Sequence, residues 1–208
     1  STLESAIPNN PKDYTRCSSG TFDKEGNYWC CNMGDVVLHR LDMSNQWDAV
    51  KIISEGNIFP VYTAGGLLLD KRNDQHKWIP YARYNPGLVL IDDKGSLDET
   101  DDKVIFRNLW ATTTGQSISP TSIYMVKQDS KNNILLGTSS GILIIPAEID
   151  FFTSDACKQL EIIEDNGENP FKTLDIQAIE FDDKGQTWIG TNTVGVYIVS
   201  SDWKEIIA

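Results

Sequence analysis

The chain has 208 residues, 40% of them hydrophobic, with 18 Lys and Arg against 30 Asp and Glu and a net charge of −12. That apolar content suffices for one domain or one repeat array. The acidic balance and the lack of a Lys/Arg cluster argue against a nucleic-acid binder, and no apolar run approaches the ~18 residues of a membrane span.

The start, Ser1 to Asn10, is polar and carries Glu4 and Pro8, unlike a signal peptide. Four cysteines are present, Cys17, Cys30, Cys31 and Cys157, with no C-x-x-C pair and only two histidines, His39 and His76. A structural zinc site is not expected from that set. Adjacent Cys30 and Cys31 point to opposite faces of a strand, so at most one faces Cys17. Such a bridge needs an oxidising compartment; the alternative is four buried, small apolar residues.

Taken in chain order, one pattern appears four times. Phe22-Asp23-Lys-Glu-Gly-Asn-Tyr-Trp29 is an apolar strand end, a turn and an aromatic strand start. Leu69-Asp70 to Trp78 repeats it with a two-residue insertion, and Gly87-Leu-Val-Leu-Ile91 supplies a third strand. Ser122 to Thr138 and Asp175 to Thr191 then align without a gap. Ile123 falls on Ile176, Val126 on Ile179, Asp129 on Asp182 and Leu135 on Trp188. Each is followed by a Gly and an apolar strand, Gly141 to Ile145 and Gly195 to Val199.

The physical reading is the same in each copy. Asp bonds its own backbone in a tight turn, and the Gly or Asn three residues on accepts a positive φ. The Trp-Ile-Gly-Thr type segment is a strand rich in aromatic and β-branched residues. The unit is a four-stranded antiparallel meander that cannot bury both faces alone. Stacked radially, such units cover one another, which is propeller construction.

The fold expected is therefore all-β, a partial β-propeller of about four blades over 1–208, with approximate repeats 12–58, 59–112, 113–170 and 171–208. Trp29, Trp78, Leu135 and Trp188 should hold equivalent second-strand positions and be buried. Small residues, Ser19, Gly20, Gly65, Gly66 and Ala178, mark the crowded first strands. The stretch from Ala147 to Leu160 reads as a connection with at most one helical turn.

Asp182 to Thr191 and Gly137-Thr-Ser-Ser-Gly141 resemble the two-component-regulator propeller repeat. Gly87 to Gly95, the acidic loop Leu97 to Asp102, Ser119-Pro120, Phe152 to Cys157 and Asp165-Asn-Gly167 are similar to the propeller region of PorZ-type proteins, accessory components of the type IX secretion system. The resemblance spans roughly residues 10 to 205 and departs in the first copy, where Cys30-Cys31-Asn32 replaces an apolar-Gly-Thr segment. It implies a non-enzymatic propeller in the periplasm or at the outer-membrane surface of a Gram-negative bacterium. It also implies work through contacts with other secretion-system or envelope proteins or with cell-surface glycan, and no cofactor. Family members continue with further repeats and a C-terminal β-domain, so the chain is expected to be a fragment. An open arc whose end faces pair with another copy is expected, with a closed four-blade ring as the alternative. Two other functions compete: the ligand-sensing propeller of a hybrid histidine kinase, and a propeller lyase or glycosidase.

The candidate chemistry is sparse. Asp23, Asp70, Asp129 and Asp182 recur once per copy and read as turn residues, not as acids facing each other across a sugar. The loop Asp98-Glu99-Thr100-Asp101-Asp102 offers oxygen ligands but lacks the spacing of a calcium loop and reads as a solvated turn. No Ser-His-Asp set is evident. Tyr81, Arg83 and Tyr84, read as exposed in the second copy, are the candidate contacts for glycan stacking or a partner protein; the alternative is an ordinary strand with one solvated face.

Overall fold

A computed structural model describes residues 19–31, 38–54, 57–58, 66–81, 86–112, 114–164 and 167–208. Strands dominate, and the one helical element among the described residues is a single 3-10 turn, Pro170–Lys172, capped by Asn169. The strands form four blade sheets, as the repeat predicts. They fall into two compact units, 1–106 and 107–208.

The first unit holds blades 1 and 2. Blade 1 is the meander β1 (Ser19–Phe22), β2 (Tyr28–Cys31), β3 (Leu38–Leu41) and β4 (Trp47–Val50). A two-stranded ribbon, β5 (Ile53–Ser54) with β6 (Asn57–Ile58), follows. Blade 2 contains β7 (Leu68–Leu69), β8 (His76–Tyr81), β9 (Gly87–Asp92) and β10 (Lys103–Arg107). One face of blade 1, with Trp29, Cys31, Leu38 and Val50, packs on Ile79, Tyr81, Val89 and Ile91 of blade 2.

The second unit holds blades 3 and 4. A hairpin, β11 (Trp110–Thr112) with β12 (Ser117–Ile118), joins blade 3 through a parallel pairing of β11 with β16. Blade 3 itself is β13 (Ile123–Gln128), β14 (Ile134–Thr138), β15 (Gly141–Ile145) and β16 (Ala156–Gln159). The stretch 110–112, assigned from sequence to the second repeat, thus extends the third sheet. Blade 4 has three strands, β17 (Ile176–Phe181), β18 (Thr187–Thr191) and β19 (Val196–Val199), and a bridge from Val199 to Ile206. Met125, Leu135 and Ile142 of blade 3 pack on Ile176, Ile179 and Ile189 of blade 4.

The turn chemistry is as the repeat requires. Gly26, Asn132 and Gly185 stand at φ of 87°, 67° and 76° at the same place in copies 1, 3 and 4. Gly141 opens β15 at φ 86°, and a Cβ there would come within 1.5 Å of the Phe171 carbonyl oxygen, so no other residue fits.

Three of the four anchors are buried: Trp29, Trp78 and Leu135. Trp188 is not; it is 44% exposed. Its strand position is the expected one, opposite Glu180 as Leu135 is opposite Lys127. Burial of an anchor needs a blade laid over that face, and Trp188 is not part of the apolar cluster between blades 3 and 4.

Candidate functional site

Each blade's turn Asp is tied to its own repeat. Asp23 Oδ1 accepts from the Asn27 backbone N–H at 2.8 Å, and Oδ2 accepts from the Asn27 side chain and from Trp29 Nε1 at 2.8 Å. Asp182 accepts from the Lys184 and Gln186 backbone and from Trp188 Nε1 at 3.1 Å. Asp70 likewise takes the Trp78 indole N–H at 3.3 Å and is ion-paired with Arg72. The Leu135 side chain has no N–H to give, and there Asp129 Oδ2 accepts from the Asn133 side chain at 2.8 Å. Sequence reading assigned these Asp to turns and missed the indole bond, although the recurring Asp and Trp at the two ends of the same turn carried it. The indole bond helps hold the Asp182 carboxyl below the usual carboxylate range, with the turn's backbone donors adding to it.

A polar site lies within the first unit, at the loop ends of blades 1 and 2. A cleft of about 330 Å³ is lined by Asp23, Glu25, Asn27, Arg40, Asp74 and Gln75, with Trp29 and Lys77 at its wall. Lys77 is 2% exposed. Its ammonium lies 4.4 Å from the Trp29 ring centroid, donates to the Asp74 carbonyl at 3.2 Å and is ion-paired with Asp93. Arg40 also faces the Trp29 ring, at 5.9 Å, and holds Asp48 at 2.8 Å. Cation–aromatic and charge-assisted bonds of this kind fix the cleft wall in place. Beside Lys77 and Asp93, the Asp102 carboxyl is pushed up to about 7, first by burial and then by the negative charge of Asp93 and Asp101.

Of the candidate contacts read from the sequence, the one described, Tyr81, is not at a surface. Tyr81 is 3% exposed, edge-on to Phe106 at a ring separation of 5.9 Å, and burial pushes its phenol well above the usual range. The expectation of an exposed Tyr81 fails because β8 is covered on both faces: Lys77 to Tyr81 are all buried. Arg83 and Tyr84 lie outside the described residues, as do Cys17 and Gly65. The acidic loop closes on itself: Asp98 accepts from Thr100 N–H at 3.0 Å and Thr100 Oγ1 at 2.6 Å, and Asp101 accepts from Ser96 at 3.3 Å. Among the described residues no three His, Cys, Asp or Glu side chains stand where they could hold a metal ion. Cys30, Cys31 and Cys157 are buried.

Comparison with solved structures decides the architecture. PorZ, a surface component of the type IX secretion system of Porphyromonas gingivalis, superposes at a TM-score of 0.78 with 19% identity, over 96% of this chain and 27% of PorZ. The fold is that of a β-propeller. An extracellular domain assigned to a hybrid two-component system of B. thetaiotaomicron matches at 0.55 with 16% identity, over 90% of this chain and 24% of that one. Virginiamycin B lyase from Staphylococcus aureus matches at 0.56 with 12% identity, over 90% of this chain and 53% of the lyase. The propeller thus corresponds to about a quarter to a half of each of these longer chains. No family model matches the sequence, and no curated protein does. Among the described residues no helix is long and apolar enough to cross a membrane.

Proposed function

We propose that this propeller is a non-enzymatic binding and assembly module of the Gram-negative cell envelope, of the type PorZ represents, acting through protein or glycan contacts. The observation that carries the reading is the likeness to PorZ along 96% of the chain at a TM-score of 0.78, well above the likeness to the sensor domain or the lyase. The cleft of the first unit suits such a role. Its carboxylates, amides and guanidinium offer donors and acceptors to a hydroxyl-rich glycan or a polar peptide, on a wall fixed by Lys77 and Trp29. The turn carboxylates, spent on their own backbone and indole donors, act as scaffold.

The test is deletion of the encoding gene in its host, with quantification of cargo outside the cell and in the periplasm. The expected result is loss of released cargo and its retention in the periplasm. Unchanged secretion with an altered transcriptional response to polysaccharide would favour the sensor of a hybrid kinase, which the likeness to the two-component domain supports. Turnover of a polysaccharide by the purified chain would overturn the non-enzymatic reading.

A further inference from the structure

The side chains lining the cleft of the first unit divide into those the fold already uses and those it leaves over. Asp23 is used: its two oxygens take the Asn27 backbone and side chain and the Trp29 indole. Both cations of the lining are turned inward. Lys77 is committed to Asp93, the Asp74 carbonyl and the Trp29 ring, and Arg40 donates twice to Asp48. Asp93 also accepts from the Gly95 backbone N–H at 3.1 Å, and the Ser96 hydroxyl accepts from Asp98 and donates to Asp101. Trp29 is the one aromatic ring in the lining among the described residues. It is 5% exposed and faced by both cations, so it is no platform for a sugar ring.

Three side chains are left over. Among the described residues, the Glu25 carboxylate and the Gln75 carboxamide have no hydrogen-bond partner, and the Asp74 carboxylate meets only Lys24. Glu25 stands in the turn between β1 and β2, and Asp74 and Gln75 in the turn between β7 and β8. Each of the two blades therefore places one uncommitted carboxylate on the same cleft. Gly95, at φ 70°, leaves room for the amide: a Cβ there would lie 3.0 Å from Gln75 Nε2. With its cations spent inward, the cleft offers negative charge and an amide.

A second observation names the charge that fits. Lys24, in the same turn as Glu25, reaches across to Asp74 Oδ2 at 3.7 Å, too far for a hydrogen bond, with 62% of its side chain exposed. An ammonium thus already stands beside this carboxylate and is held loosely. An exposed pair of this length is weak and yields to a better-placed cation.

We infer that the cleft takes a cationic side chain of a partner protein, arginine above lysine, seated between Glu25 and Asp74 with the Gln75 amide oxygen as a further acceptor. Lys24 is the cation it displaces. A guanidinium carries five N–H donors in one plane and can serve two carboxylates and an amide together, which the three donors of an ammonium do less well. The inference rests on the reading of the chain as a binding module and names the chemistry its cleft accepts.

NMR titration of the isotope-labelled chain with a blocked pentapeptide, one arginine among glycines, tests it. Peptide is taken to about 10 mM, a span that brackets millimolar binding. The expected result is a saturable shift of the Gln75 side-chain amide that weakens as salt is added. The same peptide with glutamine for arginine should shift nothing, and the lysine peptide should bind more weakly. Glu25→Gln and Asp74→Asn should each weaken binding about tenfold, by loss of a charge-assisted bond. Lys24→Ala, which frees Asp74, should tighten it about two- to fivefold. These opposite signs cannot come from a general loss of structure, and melting temperatures confirm that each variant is folded. No shift at Gln75, an equal shift with the glutamine peptide, or binding indifferent to both carboxylate variants would overturn the inference. So would weaker binding by Lys24→Ala, which would make Lys24 part of an anion site. A neutral oligosaccharide that shifts the Gln75 amide where the arginine peptide does not would also overturn it, yet leave the binding-module reading intact; that reading stands or falls by the secretion measurement.

Discussion

At the junction of blades 1 and 2, Lys77 lies against the Trp29 ring; at the junction of blades 3 and 4, the same position of the repeat holds Thr187, fully buried. The first junction therefore carries an ammonium, an indole and the Asp93 carboxylate inside the stack and opens into a polar cleft. The second closes on isoleucines and keeps its charges, Lys127 and Glu180, at the rim with 35% and 68% of their side chains exposed. Blade stacking tolerates both because apolar contact supplies most of the association. A buried ion pair adds position and specificity more than stability. The difference leaves a polar cleft at the first junction and an apolar seam at the second.

The largest effect should come from splitting the buried pair. Lys77→Met leaves Asp93 as an uncompensated buried charge, which costs about 3–5 kcal/mol. Lys127→Met removes a partner from an exposed pair and should cost less than about 1 kcal/mol. Urea unfolding of both variants measures the contrast; equal losses would erase the distinction between the junctions.

Next comes the contrast of anchors. Leu135 is fully buried, and Leu135→Ala opens a cavity in the cohesive junction worth about 2–5 kcal/mol. Trp188→Ala, at the same place in the next copy, should cost less than about 1 kcal/mol, since exposed positions away from a core respond weakly. A loss at Trp188 as large as at Leu135 would mean that a covered indole had been cut away.

The anchors also show how far the sequence could be read. Strand identity, turn type and cross-strand register follow from Asp, Gly or Asn and the apolar alternation, and all are found at Asp23, Asp129 and Asp182. Burial was legible only where the repeat itself provides the neighbour. Trp188 matches Leu135 residue for residue, yet its exposure is set by what lies over the sheet, which no local pattern encodes. Tyr81 fails in the opposite sense. An alternating strand was read with one wet face, but Lys77 to Tyr81 are buried on both faces of β8. The cleft was not legible at all, because it joins Asp23 and Arg40 of one copy to Asp74 and Lys77 of another.

The smallest effect tests the electrostatics of the cleft junction. Asp102 in the folded chain has its carboxyl raised to about 7, from the ordinary 3.8, by burial and by Asp93 and Asp101. Between pH 4 and 7 the folded chain therefore keeps a proton that the unfolded chain releases. Proton linkage then makes stability fall as pH rises through that window and recover on acidification towards pH 4. The group is only partly buried, so solvent screening reduces the effect to about 1 kcal/mol, or about 2–4 °C in Tm for a chain of this size. Asp23 and Asp92, whose carboxyls are held low, act with the opposite sign and only below their ordinary range. Asp102→Asn cannot ionise. Its melting temperature should exceed that of the parent at pH 7.5, and the advantage should shrink to nothing by pH 4. A difference between variant and parent that does not change with pH would show that Asp102 titrates normally, and that the charge crowding at the first junction is relieved by solvent.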